Sequence, residues 1–194
     1  MIFAGREIRA ARDNVLRYCG LPWSGGEGEV WAYPYYDAIV TTPDLVEPID
    51  VVATAALMPK LTPHDLTWFS EKRSELEQWL QVVPDIHLAN ASIDEVALLD
   101  ELRSIADTGV TLSLLSKVLH RKRPGIIPIL DRAPLDWYRR QLDGRGAAAW
   151  PQYIRLLAGD LQRNATTLEK ISQDVPLTPL RIADIAIWME SRKI

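Results

Sequence analysis

The feature that most constrains this chain is a period. Apolar residues recur at i, i+3 and i+4 almost from end to end, while strict apolar/polar alternation is nearly absent. The helical repeat of 3.6, not the strand repeat of 2, therefore governs burial, and the chain reads as all-α. Ile8, Ala11, Val15, Leu16 and Cys19 make one stripe, and Leu45, Ile49, Val52, Ala53 and Leu57 make a second that ends at Pro59. Thr62-Pro63-His64-Asp65 and Ser92-Ile93-Asp94-Glu95 are capping boxes, in which a hydroxyl and an acid three residues on satisfy each other's backbone amides. The first opens a helix with Leu66, Phe69, Leu76, Leu80 and Val83 inward, stopped by Pro84; the second opens one that runs from Val96 to Gly109. Thr111 or Ser113 caps the next helix and Asp131 a short one through Leu142. Trp150-Pro151 begins one long helix through Ile171, and Thr178-Pro179 the last, whose stretch Leu180–Met189 is apolar on most faces and should lie deep. Residues 21–42, rich in Gly, Pro and aromatics, read as a loop or short hairpin.

With 47% hydrophobic and 25% charged residues the chain can build a packed core. No repeat or linker divides it, so residues 1–194 are expected to form a single domain. Cys19 is the sole cysteine, which excludes an intrachain disulfide and a cysteine zinc site. His64, His87 and His120 are far apart and fit no helical metal pair, so no metal is expected; Gly25-Gly26-Glu27-Gly28 lacks the G-K-[ST] ending of a phosphate loop, so no cofactor is expected either. No apolar run approaches the about 18 residues of a membrane span, and the start lacks a basic then apolar leader. The expectation is a cytoplasmic protein without membrane contact.

Charge is unevenly placed. From Leu115 to Arg145 eight basic residues face three acids, a net of +5, which leaves −9 for the rest of a chain whose total is −4. Lys117, His120, Arg121, Lys122 and Arg123 cluster at the end of one predicted helix, opposite its leucines. They are expected to face solvent, either as a phosphate-binding patch or as cations complementing the helix dipole. Trp31, Tyr33, Tyr35 and Tyr36 have the chemistry to stack bases. Glu27, Glu29, Asp37, Asp44, Glu47 and Asp50 surround them with no Lys or Arg between Arg17 and Lys60, so they are expected to pack in the core. Arg181 and Asp184 sit three apart on the most apolar helix, where an unpaired charge is costly, and are expected to form a structural ion pair.

The run Ser116-Lys117-Val118-Leu119-His120-Arg121-Lys122-Arg123-Pro124-Gly125-Ile126-Ile127-Pro128-Ile129-Leu130-Asp131 is the least generic. A helix ending in a basic cluster, then P-x-x-I-P-I, then an Asp opening a helix, resembles the centre of the helix-hairpin-helix DNA glycosylase superfamily, over roughly Gly109 to Leu142. Gly109-Val110 resembles the start of its hairpin turn, with Thr111 where that family has Gly, and Asp131 comes one residue later than the family spacing. The pattern is closer still to uncharacterised bacterial proteins that share S-K-x-L-H-x-x-x-P-x-x-I-P-I-x-D and a terminal R-x-x-D-x-x-x-W, here Arg181, Asp184 and Trp188. The resemblance implies a glycosylase-like helical centre, DNA as partner, and Asp131 as the catalytic group of a monofunctional base-excision protein, with the basic cluster on phosphates. Read from the residues alone, Asp131 is first an N-cap, and the alternative function is a non-catalytic helical scaffold or protein-interaction domain.

Overall fold

The structure, a computed structural model, describes residues 1–29, 31–57 and 60–192. It is mostly helical: α1 (Ala11–Tyr18), α2 (Pro48–Ala53), α3 (Pro63–Val82), α4 (Ile93–Ala106), α5 (Leu112–His120), α6 (Arg132–Tyr138), α7 (Trp150–Arg163), α8 (Ala165–Ser172) and α9 (Pro179–Ser191). The described strands are β1 (Ile2–Phe3) and β2 (Arg6–Glu7), an antiparallel pair in which Ile2 faces Glu7. This small hairpin takes Ile8 out of the first helical stripe, so α1 is shorter than the period predicts.

Both capping boxes form as read. Thr62 Oγ1 accepts from the Asp65 amide while the Asp65 carboxylate accepts from the Thr62 amide, and Ser92 and Glu95 do the same. A third box was not anticipated: Glu47 and Asp50 close the start of α2, so that helix begins at Pro48 and leaves Leu45 outside it. The predicted stop at Pro59 lies outside the described residues.

The long helix expected from Trp150 to Ile171 is broken at Asn164. The Asn164 amide explains the break, because it donates to the Ile2 carbonyl at 2.7 Å while its oxygen accepts from the Ile2 amide at 3.0 Å. Asp160, one turn earlier, accepts from the Ala4 amide at 2.7 Å and from the Tyr138 hydroxyl at 2.6 Å. The end of α7 is thus committed to holding the N-terminal hairpin and α6 in place.

α9 is the central element. Ile182, Ala183, Ala186 and Ile187 are fully buried, and the helix packs against α1, α6, α7 and α8. α4 and α5 are joined by a five-residue turn in which Gly109 lies under Trp68; a Cβ built there would sit 2.6 Å from the indole. Gly109→Ala is therefore expected to lower stability by about 1–3 kcal/mol through displacement of that ring, which thermal unfolding measures; an unchanged midpoint would show that Trp68 yields freely. No described helix is long and apolar enough to cross a membrane.

Candidate functional site

Three adjoining cavities, of about 320, 650 and 520 Å³, meet at one side chain, Asp131. The segment before Asp131 is rigidly seated. Ser116 Oγ on α5 accepts from the Leu130 amide at 3.0 Å, and His120 Nδ1 donates to the Ile127 carbonyl at 2.6 Å. Burial brings the imidazole down to about 4, so the ring that braces this turn is neutral near pH 7.

Asp131 is the N-cap residue of α6, but it caps in an unusual way. An N-cap carboxylate ordinarily accepts from the second or third helical amide. The third residue here is Pro134, which has no amide, and Asp131 Oδ1 instead accepts from the first, Arg132, at 2.9 Å. Its Oδ2 has no hydrogen bond to any described residue, and the side chain is 36% exposed. Lys117 Nζ lies 3.7 Å from Oδ1 and donates to Ser113 Oγ at 2.8 Å. Burial pulls this ammonium below the usual lysine range, opposed by the charges of Asp131 and Asp184.

The 320 Å³ cavity has rings on part of its wall. Trp31 and Trp188 meet edge to face at 5.4 Å, Arg192 lies over both indoles at 5.0 and 4.5 Å, Tyr18 and Tyr35 also line it, and Leu57, Ile129 and Ile185 add aliphatic surface. The expectation of core packing for the early aromatics holds for Tyr36, which is buried and donates to the Lys117 carbonyl at 2.6 Å. It holds in part for Trp31 and Tyr33, which are half-buried and pack against the core, Trp31 also lining the cavity, and it does not hold for Tyr35, which is 62% exposed.

Arg181 and Asp184 are brought together as the sequence suggests, with Nη1 donating to Asp184 Oδ2. A third charge joins them: Asp37, from the aromatic segment, accepts from Arg181 Nε at 2.6 Å and from Nη2 at 3.0 Å, and Tyr18 Oη accepts from Nη2 at 2.8 Å. Of this network Tyr18, Arg181 and Asp184 line the aromatic cavity behind Asp131, with Asp37 outside the lining.

The solvent-facing basic patch expected from Lys117, His120, Arg121, Lys122 and Arg123 is overturned, because all five are buried. Asp50 is bonded by Arg121 Nε at 3.1 Å and by Lys122 Nζ, and Arg123 pairs with Asp44. Several of the remaining donors take groups of one passing segment: Arg121 bonds the carbonyls of Tyr36 and Ile39, Lys122 that of Thr42 and the Thr41 hydroxyl, and Arg123 the carbonyl of Pro43, while Arg123 also bonds the carbonyls of Leu80 and Val83 at the end of α3. Three consecutive cations thus clamp residues 36–44, the stretch that follows the cavity's aromatic wall. Two of the acids that argued against phosphate near these aromatics, Asp44 and Asp50, are the partners of cations assigned to phosphate.

Cations do surround Asp131, but apart from the buried Lys117 they are others. Arg132, Arg139 and Arg145 line the 650 Å³ cavity, and Arg6, Arg132 and Arg192 the 520 Å³ one, all exposed. Arg132 and Arg139 share Asp136, at 3.3 and 4.0 Å. Arg132, Arg139 and Arg145 all lie in the +5 region, where only Arg145, between Gly144 and Gly146, has neighbours that mark it as exposed, while Arg121-Lys122-Arg123 lies between Leu119 and the apolar run Ile126-Ile127. Among the described residues no group of three or more His, Cys, Asp or Glu is placed to hold a metal ion.

Residues 11–191 match the family described as "Family of unknown function (DUF6308)". No curated protein and no solved structure matches the chain.

Proposed function

The chain belongs to the DUF6308 family, and on that premise we propose that it holds a nucleobase of a nucleic-acid strand in the aromatic cavity, as a monofunctional base-excision protein does. The observation that carries the proposal is the position of Asp131. Its Oδ2, which no described residue hydrogen-bonds, belongs to a residue shared by a ring-lined cavity on one side and two arginine-edged cavities on the other. A base taken out of its stack needs aromatic faces, the flanking phosphates need cations, and the bond between them is where a carboxylate acts.

In this reading the extruded base lies against the rings of Trp31, Tyr35 and Trp188, and Arg6, Arg132, Arg139, Arg145 and Arg192 receive the backbone. As the bond from sugar C1′ to the base nitrogen breaks, its electron pair leaves with the base. Asp131 stabilises the positive charge that develops on the sugar and takes the proton of the water that adds to C1′. The resemblance of the P-x-x-I-P-I-x-D segment to the helix-hairpin-helix glycosylase superfamily supports the same assignment.

Binding to a fluorescent duplex is expected to fall with salt, with a slope of log K against log salt near −3 if about three phosphates are neutralised. Exchanging Arg132, Arg139 and Arg145 together for Gln is expected to remove most of that slope. Exchanging Lys122, whose charge is already held by Asp50, is not expected to act through phosphate. Absence of binding at low salt, or an unchanged slope in the triple variant, refutes this nucleic-acid surface.

A further inference from the structure

The charged residues that line the aromatic cavity are Asp131 and Asp184 against Arg181 and Arg192, a net formal charge of zero. Arg192 lies over the indoles of Trp31 and Trp188, while Lys117 and Asp37 stand behind the lining, paired with Asp131 and Arg181. Arg181 is fully engaged by Asp37, Asp184 and Tyr18, and Lys117 by Ser113 and Asp131. Neither has reason to seek an anion. Asp184 differs: it lines the cavity, its side chain is 12% exposed, and among the described residues it is hydrogen-bonded through Oδ2 alone. A carboxylate offers about four acceptor positions on its two oxygens, so most of those on Asp184 are open.

Ring faces on the walls and open acceptors on the floor select for a flat ligand whose leading edge donates. We infer that the cavity prefers a heterocycle presenting two adjacent N–H donors, as guanine does with N1–H and its 2-amino group, and that Asp184 is the residue that reads this edge. The inference rests on the base-binding role proposed above and narrows its substrate class. Adenine and the pyrimidines place an acceptor beside each donor on the same edge, and that acceptor would face the carboxylate.

The charge state of Asp184 gives the preference a pH dependence. The groups that act on it are Arg181 on its own helix, Lys117 from α5, Asp131 at the head of α6, and Asp37 and Tyr36 from the aromatic segment, with Tyr18 from α1 and Tyr153 from α7. Burial pushes the carboxyl up to about 6, against the pull of Arg181. Above that pH the ionised group accepts two N–H donors; below it the added proton removes one acceptor and the preference falls.

Calorimetric titration with free nucleosides tests this without requiring catalysis. At pH 7.5 guanosine is expected to bind roughly 10- to 100-fold more tightly than inosine, which lacks the 2-amino group and so one hydrogen bond to a charged acceptor. The ratio is expected to shrink towards one at pH 5 and in Asp184→Asn. Equal affinities in the wild type, a ratio that survives pH 5, or no nucleoside binding at all overturns the inference, and the first two need no variant to fold. Base release by the wild type with no preference for guanine-type bases would overturn it while leaving the proposed activity standing. Guanosine-selective binding by a protein that releases no base would do the reverse.

Discussion

Asp50→Ala is expected to destabilise the protein by about 3–5 kcal/mol, the cost of leaving buried charge without its partner. Asp50 is fully buried and answers two cations, Arg121 and Lys122, which are themselves 3% and 0% exposed in the side chain. Its loss strands both, and also removes the acceptor for the Glu47 amide that opens α2 and for Thr41 Oγ1. For a chain of this size each kcal/mol moves the midpoint by about 2–4 °C, so a fall of roughly 6–20 °C is expected. Asp50→Asn, which keeps the shape and some of the hydrogen bonds, should fall between. Arg132→Ala, an exposed cation paired only with exposed Asp136, should stay within about 0.5 kcal/mol of wild type. An Asp50→Ala midpoint equal to wild type would mean that the cations find water.

The same residue fixes the sign of a pH effect. Burial pushes the Asp50 carboxyl up, but its bonds from Lys122, Thr41 and the Glu47 amide together bring it below the ordinary range. A carboxyl with a lowered folded value stabilises fully above its unfolded value of about 4, and the contribution is lost as pH falls through the folded value. The stability gap between wild type and Asp50→Asn should therefore narrow on acidification below about pH 4.

That cluster also marks where the sequence was legible and where it was not. Local signals were: Thr62 and Ser92 cap as their spacing requires, Thr111, Asp131 and Thr178 each open a helix, and the apolar stretch of α9 is buried. Such features are decided by residues within one turn of each other. The pairing of Asp50 with Lys122, 72 positions apart, is decided by the packing of the whole chain, and no period announces it. The break at Asn164 has the same origin, since its cause is a strand at the other end of the sequence. The site followed suit: Asp131 stood out through a local pattern, whereas Trp31, Tyr35 and Trp188 come together only when α9 crosses the aromatic segment.

Asp131→Asn is expected to abolish the proposed chemistry, by about 10²-fold or more, while leaving the fold intact. The geometry makes this a clean substitution. The cap bond to the Arg132 amide uses one oxygen, which Asn also possesses, and Pro134 removes the N–H of the third helical position as a partner for the second. What Asn lacks is the charge that faces the developing cation and the basicity to take a proton from water. Asp131→Ala removes the cap as well and should cost about 0.5–1 kcal/mol, which separates loss of folding from loss of chemistry. The measurement is release of free base from single- and double-stranded oligonucleotides carrying modified purines and pyrimidines, with wild type and both variants compared at equal folded fraction. If wild type releases base and Asp131→Asn does so as fast, Asp131 is a cap and the reacting group lies elsewhere in the cavity. If wild type releases none from any substrate while still binding the strand, the cavity holds a base without cutting it, and the second oxygen of Asp131 serves recognition.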